Sequence, residues 1–275
     1  MLEVRDIKKY FFIEGPNPLQ KIFFKPKNII KAVDGVSLSL SPGQTIGLVG
    51  ESGSGKTTLA RTIVGLYSPT AGDILFEGKS VLNFSPIERK IFHQKVQIIF
   101  QDPFSSLNPR MKIISILSEG LKIHHLASTK NQIYKKCAEL LNLVGLSEEH
   151  LERYPHEFSG GQRQRLAIAR ALSVQPEYII CDEPVSSLDV SIQAQIINLL
   201  LDLQEKLNLG YLFISHDLSV VKYISHKIAV MFQGKIVEFS ESEKLFEKPE
   251  HPYTKLLLSS IPEMKKTGLE ASNYA

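Results

Sequence analysis

The chain has 275 residues, 43% of them hydrophobic, with 32 lysines and arginines against 29 acidic residues for a formal net charge of +3, and two cysteines. That hydrophobic content supports a substantial core in one large α/β domain or two modest ones and excludes a disordered chain. The excess of positive charge is too small to argue for nucleic acid or an anionic membrane surface, and two cysteines are too few for a disulfide framework or a structural zinc site.

From the N-terminus, Met1 to Lys9 lacks the apolar segment of a signal peptide, and no later apolar run approaches the ~20 residues of a membrane span. The chain is therefore expected not to cross a bilayer by itself. Leu2 to Phe12 reads as a strand, as does Val33 to Leu40, where Val36, Leu38 and Leu40 alternate with Ser37 and Ser39. Between them Glu14 to Lys31 holds Gly15, Pro16, Pro18, Pro26 and the pair Phe23-Phe24, which predicts a long, solvated hairpin excursion with an aromatic anchor.

Thr45 to Thr58, T-I-G-L-V-G-E-S-G-S-G-K-T-T, organises the rest of the chain. A short apolar strand ends in a Gly-rich loop that leads straight into a helical pattern from Lys56 to Leu66. Gly50, Gly53 and Gly55 permit the φ values that turn successive N–H groups toward one anion site at the positive end of that helix. Lys56 adds a point charge for β- and γ-phosphates, and the Thr57 hydroxyl is placed to ligate Mg²⁺.

Ser68 to Gly72 reads as a turn, and Asp73 to Glu77 and Val96 to Phe100 as short strands, the second ending in Gln101-Asp102-Pro103. From Phe104 to Glu157 the pattern is helical, with Ile113, Ile114, Ile116, Leu117 and Leu121 on one face and Cys137, Leu140, Leu141 and Val144 on another, closed by Gly145. This predicts a helical insertion. Alternation then resumes with Tyr178 to Cys181, a helix from Ile192 to Leu207, Tyr211 to Ile214, and Lys227 to Phe232 turning through Gln233-Gly234 into Lys235 to Phe239. Strands alternating with helices predict a mostly parallel, doubly wound sheet.

Two further groups carry chemistry. The apolar strand at Tyr178 delivers Asp182 and Glu183 to its C-terminal edge, where ligands gather in such sheets. Beside a phosphate loop, the first carboxylate suits Mg²⁺ held through its water shell and the second suits orienting and deprotonating a water. Gln101 ends a strand with a side chain able to meet metal and water, and His216 follows its strand in the same way. Ser159-Gly160-Gly161-Gln162 starts the helix Arg163 to Leu172 with several free N–H groups, a second anion site without metal ligands. It fits a second nucleotide in the chain, the completion of another subunit's phosphate pocket, or a capped helix with a flexible lead-in.

In this order and over nearly the whole chain, the phosphate loop, Gln101, S-G-G-Q, Y-I-I-C-D-E, Ser187-Leu188-Asp189 and His216 resemble the ATP-binding cassette ATPases. The resemblance implies an α/β fold, a P-loop NTPase (RecA-like) core with a mostly parallel sheet, an N-terminal antiparallel β region and an inserted helical subdomain. It implies an ATPase domain over 1–250 with the helical subdomain at about 104–172, and a tail over 251–275. Gly50, Glu51, Ser52, Gly53, Ser54, Gly55, Lys56, Thr57, Thr58, Gln101 and Asp182 would bind ATP, with Mg²⁺ on Thr57, Gln101 and, through water, Asp182. Glu183 would be the base and His216 the switch. Phe11 would be the adenine platform, with Tyr10 as the alternative because a one-residue slip exchanges them. Ser159, Gly160, Gly161 and Gln162 would close on the ATP of the opposite subunit in a head-to-tail dimer. Phe158 stands where many members have leucine, which keeps an apolar contact.

Gln101 to Met111, Pro155 to Arg165 and H-P-Y-T-K-L-L at His251 to Leu257 with Ile261-Pro262 resemble the peptide and nickel importer branch, and within it the second ATPase subunit of oligopeptide or dipeptide importers. This implies a bacterial subunit on the cytoplasmic face of the inner membrane, partnered by two integral membrane permeases, a paralogous ATPase and an extracytoplasmic solute-binding protein. No cysteine follows Cys181, so no iron–sulfur cluster is expected. His124, His125 and His251 are expected to be solvated rather than nickel ligands. Cassettes acting on nucleic acid or ribosomes usually carry two cassettes or a long coiled coil, and a module using ATP only to dimerise would not need Glu183 and His216.

Overall fold

A computed structural model describes residues 1–13 and 28–259. Most of the expected excursion, Glu14 to Lys27 with Phe23-Phe24, and Ile261-Pro262 lie outside the described residues. Strand β1 (Leu2–Ile13) pairs antiparallel with β2 (Asn28–Leu40), from Leu2 opposite Leu40 to Ile13 opposite Asn28. β2 thus starts five residues before the expected Val33. Ile29 and Ile30 extend the ladder while staying exposed, so no buried alternation marks this part as strand.

After β3 (Thr45–Val49) comes helix α1 (Lys56–Ile63). It stops before the expected Leu66 because Gly65 takes φ 79° and the Leu66 N–H turns back to the Arg61 carbonyl at 2.9 Å. β4 (Ala71–Phe76) adds to β1 and β5 (Lys79–Ser80) to β4, which completes a four-stranded antiparallel sheet in the order β2-β1-β4-β5. Helix α2 (Pro86–Lys95), absent from the sequence reading, starts with a reciprocal cap between Ser85 and Glu88.

β6 (Val96–Ile99) leads into the helical region: α3 (Pro103–Ser106), α4 (Ile113–Ile123), α5 (Lys130–Leu143) and α6 (Gly160–Leu172). Ile113, Ile116, Leu117 and Leu121 of α4 are buried against Cys137 and Leu141 of α5 and Leu166 of α6, in the register the 3.6-residue period requires. Then follow β7 (Tyr178–Asp182), α7 (Val190–Leu207), β8 (Gly210–Ile214), α8 (Leu218–Ile224), β9 (Lys227–Phe232), β10 (Lys235–Glu241), α9 (Ser242–Glu247) and α10 (Pro252–Ser259).

The central sheet has the order β10-β9-β3-β8-β7-β6, parallel except at β10. Every residue of β3, β7 and β8 is buried, as expected for a parallel sheet covered on both faces. Successive residues divide two cores. Tyr178 and Ile180 join the antiparallel sheet and α1, whereas Ile179 and Cys181 join α7 and the helical region. Cys137 and Cys181 are buried and unpaired, and burial pushes the Cys137 thiol up to about 11. Among the described residues no helix is long and apolar enough to cross a membrane.

Candidate functional site

At the C-terminal edge of the central sheet lies a cleft of about 630 Å³, lined on one side by Ser52, Gly53, Gly55, Lys56, Thr57 and Thr58 and on the other by Gln101, Glu183 and His216. The loop between β3 and α1 is built by its glycines. Gly50 (φ 150°) and Gly55 (φ 109°) lie so close to their neighbours that a Cβ would stand 2.1 Å from the Met231 carbonyl oxygen or 2.0 Å from that of Ala32. Gly55 caps α1 without any side-chain hydrogen bond, so the helix's first N–H groups are left to the cleft.

Lys56 is only 5% exposed and donates from Nζ to the carbonyls of Gly50 (2.7 Å) and Glu51 (2.8 Å). Burial lowers its pKa, against the opposing pull of Glu183, Asp182 and Glu51. At the next residue, Thr57 Oγ1 donates to Asp182 Oδ1 at 2.9 Å. Asp182, 2% exposed, has its pKa raised by burial, with the Thr57 hydrogen bond pulling the other way.

Glu183 takes the left-handed conformation, φ 50°, while its N–H still bonds the Ile214 carbonyl at 3.1 Å. That turn puts its carboxylate among neighbours from two other strands. Gln101 Nε2 donates to Glu183 Oε2 at 3.1 Å, and His216 Nδ1 lies 3.3 Å from the same oxygen. The ends of β6, β7 and β8 therefore deliver amide, carboxylate and imidazole to one point facing the loop.

Two groups of expected residues stand apart. Of the first sheet, it is Ile30, Lys31 and Ala32 of β2 that line the cleft. Phe11 is half-buried, edge-on to Tyr67 at 5.7 Å with Lys9 Nζ 5.1 Å from its ring centroid, and the Tyr10 hydroxyl donates to Asp34. Ser159, Gly160, Gly161 and Gln162 start α6 outside the cleft lining. Gln162 N–H donates to Ser159 Oγ (3.4 Å) and Ser159 N–H to Gln162 Oε1 (3.0 Å), a closed reciprocal cap.

Sequence reasoning missed Ile30, Lys31, Ala32, Gln233 and Gly234 as cleft residues. The only trace was the Gln233-Gly234 turn, whose Gly234 N–H reaches back to the Ser54 carbonyl at 3.0 Å.

Comparison with known proteins is consistent with this arrangement. Residues 33–186 match the family model described as ABC transporter, and residues 237–273 that of the oligopeptide/dipeptide transporter C-terminal region. The chain is 55% identical over 245 residues to the oligopeptide transport ATP-binding protein OppF of Bacillus subtilis (strain 168), covering 89% of this chain and 80% of that protein. It is 47% identical over 264 residues to the dipeptide transport ATP-binding protein DppF of Escherichia coli (strain K12), covering 96% and 77%. A solved dimeric structure of an ATP-binding cassette in a post-hydrolysis state, bound to ADP and Pi, superposes with a TM-score of 0.75 at 25% identity, over 88% of this chain and 99% of that one.

Proposed function

Because the chain belongs to the ABC transporter family of ATPases, we propose that it binds and hydrolyses ATP to energise the import of oligopeptides or dipeptides through separate integral membrane permease subunits. The observation that carries the hydrolytic reading is the Glu183 carboxylate, held between Gln101 and His216 on the wall opposite the phosphate loop.

In this reading the N–H groups from Gly53 to Thr58 receive the phosphates, and Lys56 turns from the Glu51 carbonyl to them while keeping that of Gly50. Thr57, Gln101 and, through water, Asp182 would hold Mg²⁺. A hydroxyl, an amide oxygen and a carboxylate form the hard oxygen set this ion takes, and Asp182 is a buried acid with a single hydroxyl donor beside it. When bound, Mg²⁺ neutralises charge on the transferring phosphate. Glu183 accepts the proton of the attacking water, Gln101 orients that water and His216 keeps the carboxylate aimed. Ser159 to Gln162 close on the nucleotide of a partner cassette, read here as a paralogue. The Phe11 ring, beside the β2 residues of the cleft wall, is read as the adenine platform. The subunit works at the cytoplasmic face of the membrane, and a solute-binding protein delivers the cargo.

The test is to tag the full chain, solubilise native membranes gently with ATP present and identify what co-purifies. Two integral membrane proteins with a second cassette ATPase are expected, and the associated binding protein then separates peptide from nickel as cargo. A soluble homodimer, or ribosomes, would overturn the transport assignment.

A further inference from the structure

The sequence H-P-Y-T at His251 to Thr254 is used by none of the chemistry above, yet it reaches the phosphate loop. Glu238 of β10 accepts the backbone N–H groups of Glu250 and His251, each at 2.9 Å, which anchors the start of α10. This seats Tyr253, 7% exposed, with its ring on Phe232 at a centroid distance of 4.2 Å. Across 202 residues of sequence, the Tyr253 hydroxyl then accepts the Glu51 N–H at 2.9 Å.

That N–H belongs to the same peptide unit as the Gly50 carbonyl, which accepts from Lys56 Nζ at 2.7 Å. In a trans peptide the C=O and N–H point to opposite sides, and the described residues contain no cis bond. One peptide plane is therefore gripped from both sides, by Lys56 on its oxygen and by Tyr253 on its hydrogen. Gly50 has no side chain to brace that plane, and these two bonds fix it from the side chains of Lys56 and Tyr253.

We propose that Tyr253 is a positioning residue for the phosphate loop: its hydroxyl fixes the Gly50–Glu51 peptide so that the carbonyl holds Lys56 in place for phosphate. Nucleotide affinity is thereby tied to the seating of the segment that follows the ATPase core. The inference rests on the cleft being a nucleotide site.

The full-length Tyr253→Phe variant keeps the ring on Phe232 and removes only the hydroxyl. Titrated with ADP in a calorimeter, it should bind roughly three- to tenfold more weakly than the parent, the worth of one hydrogen bond. Its nucleotide-free melting temperature should stay within a degree or two of the parent's. In a Lys56→Ala background the hydroxyl has no lysine to place, so the two losses should not add. Equal ADP affinity in parent and Tyr253→Phe would overturn the proposal, as would additive losses or a weakening matched by a general loss of stability. Hydrogen exchange on the unsubstituted chain gives a check that needs no variant: the Glu51 amide should be protected although its side chain is exposed, and free exchange there sinks the idea. If the nucleotide reading itself is wrong, the parent binds no ADP, whereas failure of the Tyr253 role alone leaves parental binding intact.

Discussion

The starts of α1 and α6 are both Gly-rich helix N-termini, yet they are finished in opposite ways. At α1 the cap is Gly55, left-handed and without a side-chain bond, so the N–H groups and the nearby Lys56 and Thr57 are offered to the cleft. At α6 the cap is Ser159, closed by its reciprocal bonds with Gln162. A helix start with open N–H groups and a buried lysine can take a phosphate alone. One where a serine cap already takes the Gln162 N–H, set outside the cleft, is left to meet an anion presented by a second molecule. The difference teaches that anion sites are graded by what competes for their N–H groups, not by glycine content.

The sharpest way to break this contrast is to disable each site separately. At the α1 site, Glu183→Gln should leave ATP binding intact while steady-state turnover falls by ~10²- to 10⁴-fold, the usual worth of a general base. Lys56→Ala should instead weaken ATP binding by about ten- to a hundredfold, through loss of charge-assisted hydrogen bonds. Equilibrium binding alongside phosphate release separates the two, and normal turnover by Glu183→Gln would remove Glu183 from the base role. At the α6 site, Ser159→Ala should leave the ADP affinity of the monomer unchanged while weakening ATP-dependent association in a Glu183→Gln background, followed by sedimentation. Its own stability cost is that of a lost N-cap, ~1 kcal/mol. A fall in the monomer's ADP affinity would mean that the two helix starts serve the same nucleotide.

What the sequence made legible follows the same logic of local against distant cause. The loop, β3 and the buried strands β7 and β8 could be read because each is an apolar run bounded by glycine or a carboxylate pair, with no partner needed to recognise it. Helix α2 escaped although Ser85-Pro86-Ile87-Glu88 spells a capping box, because Ile87 and Ile91 face solvent and only Phe92 is buried, which spoils the 3.6-residue period. The cleft wall from Ile30 to Ala32 and at Gln233-Gly234 was illegible for another reason. It exists only because β2 of the antiparallel sheet and the turn between β9 and β10 both approach the loop, with the Ala32 carbonyl against Gly55 and the Gly234 N–H on the Ser54 carbonyl. The choice between Phe11 and Tyr10 was equally out of reach, since β1 slips register between Lys9 and Tyr10 and alternation cannot be carried through the slip.

The smallest expected effect probes why the open site stays open. Burial raises the Asp182 pKa above the ordinary carboxylate value, so its charged form costs stability in the nucleotide-free fold. The cost is absent below the ordinary carboxylate range, grows as pH rises from there through the raised value, and is complete above it. Asp182→Asn keeps an oxygen to accept the Thr57 hydroxyl and removes the charge. Its melting temperature without nucleotide should therefore exceed the parent's at pH 7, and the gap should close as the solution is taken below the ordinary carboxylate pKa. Adding Mg²⁺ with ADP should reverse the order, because only the parent then gains a cation for the acid it keeps buried. A variant no more stable than the parent at pH 7 would show that Asp182 already has enough positive charge from Lys56 and Arg61. The readiness of the α1 site would then rest on its uncapped N–H groups alone.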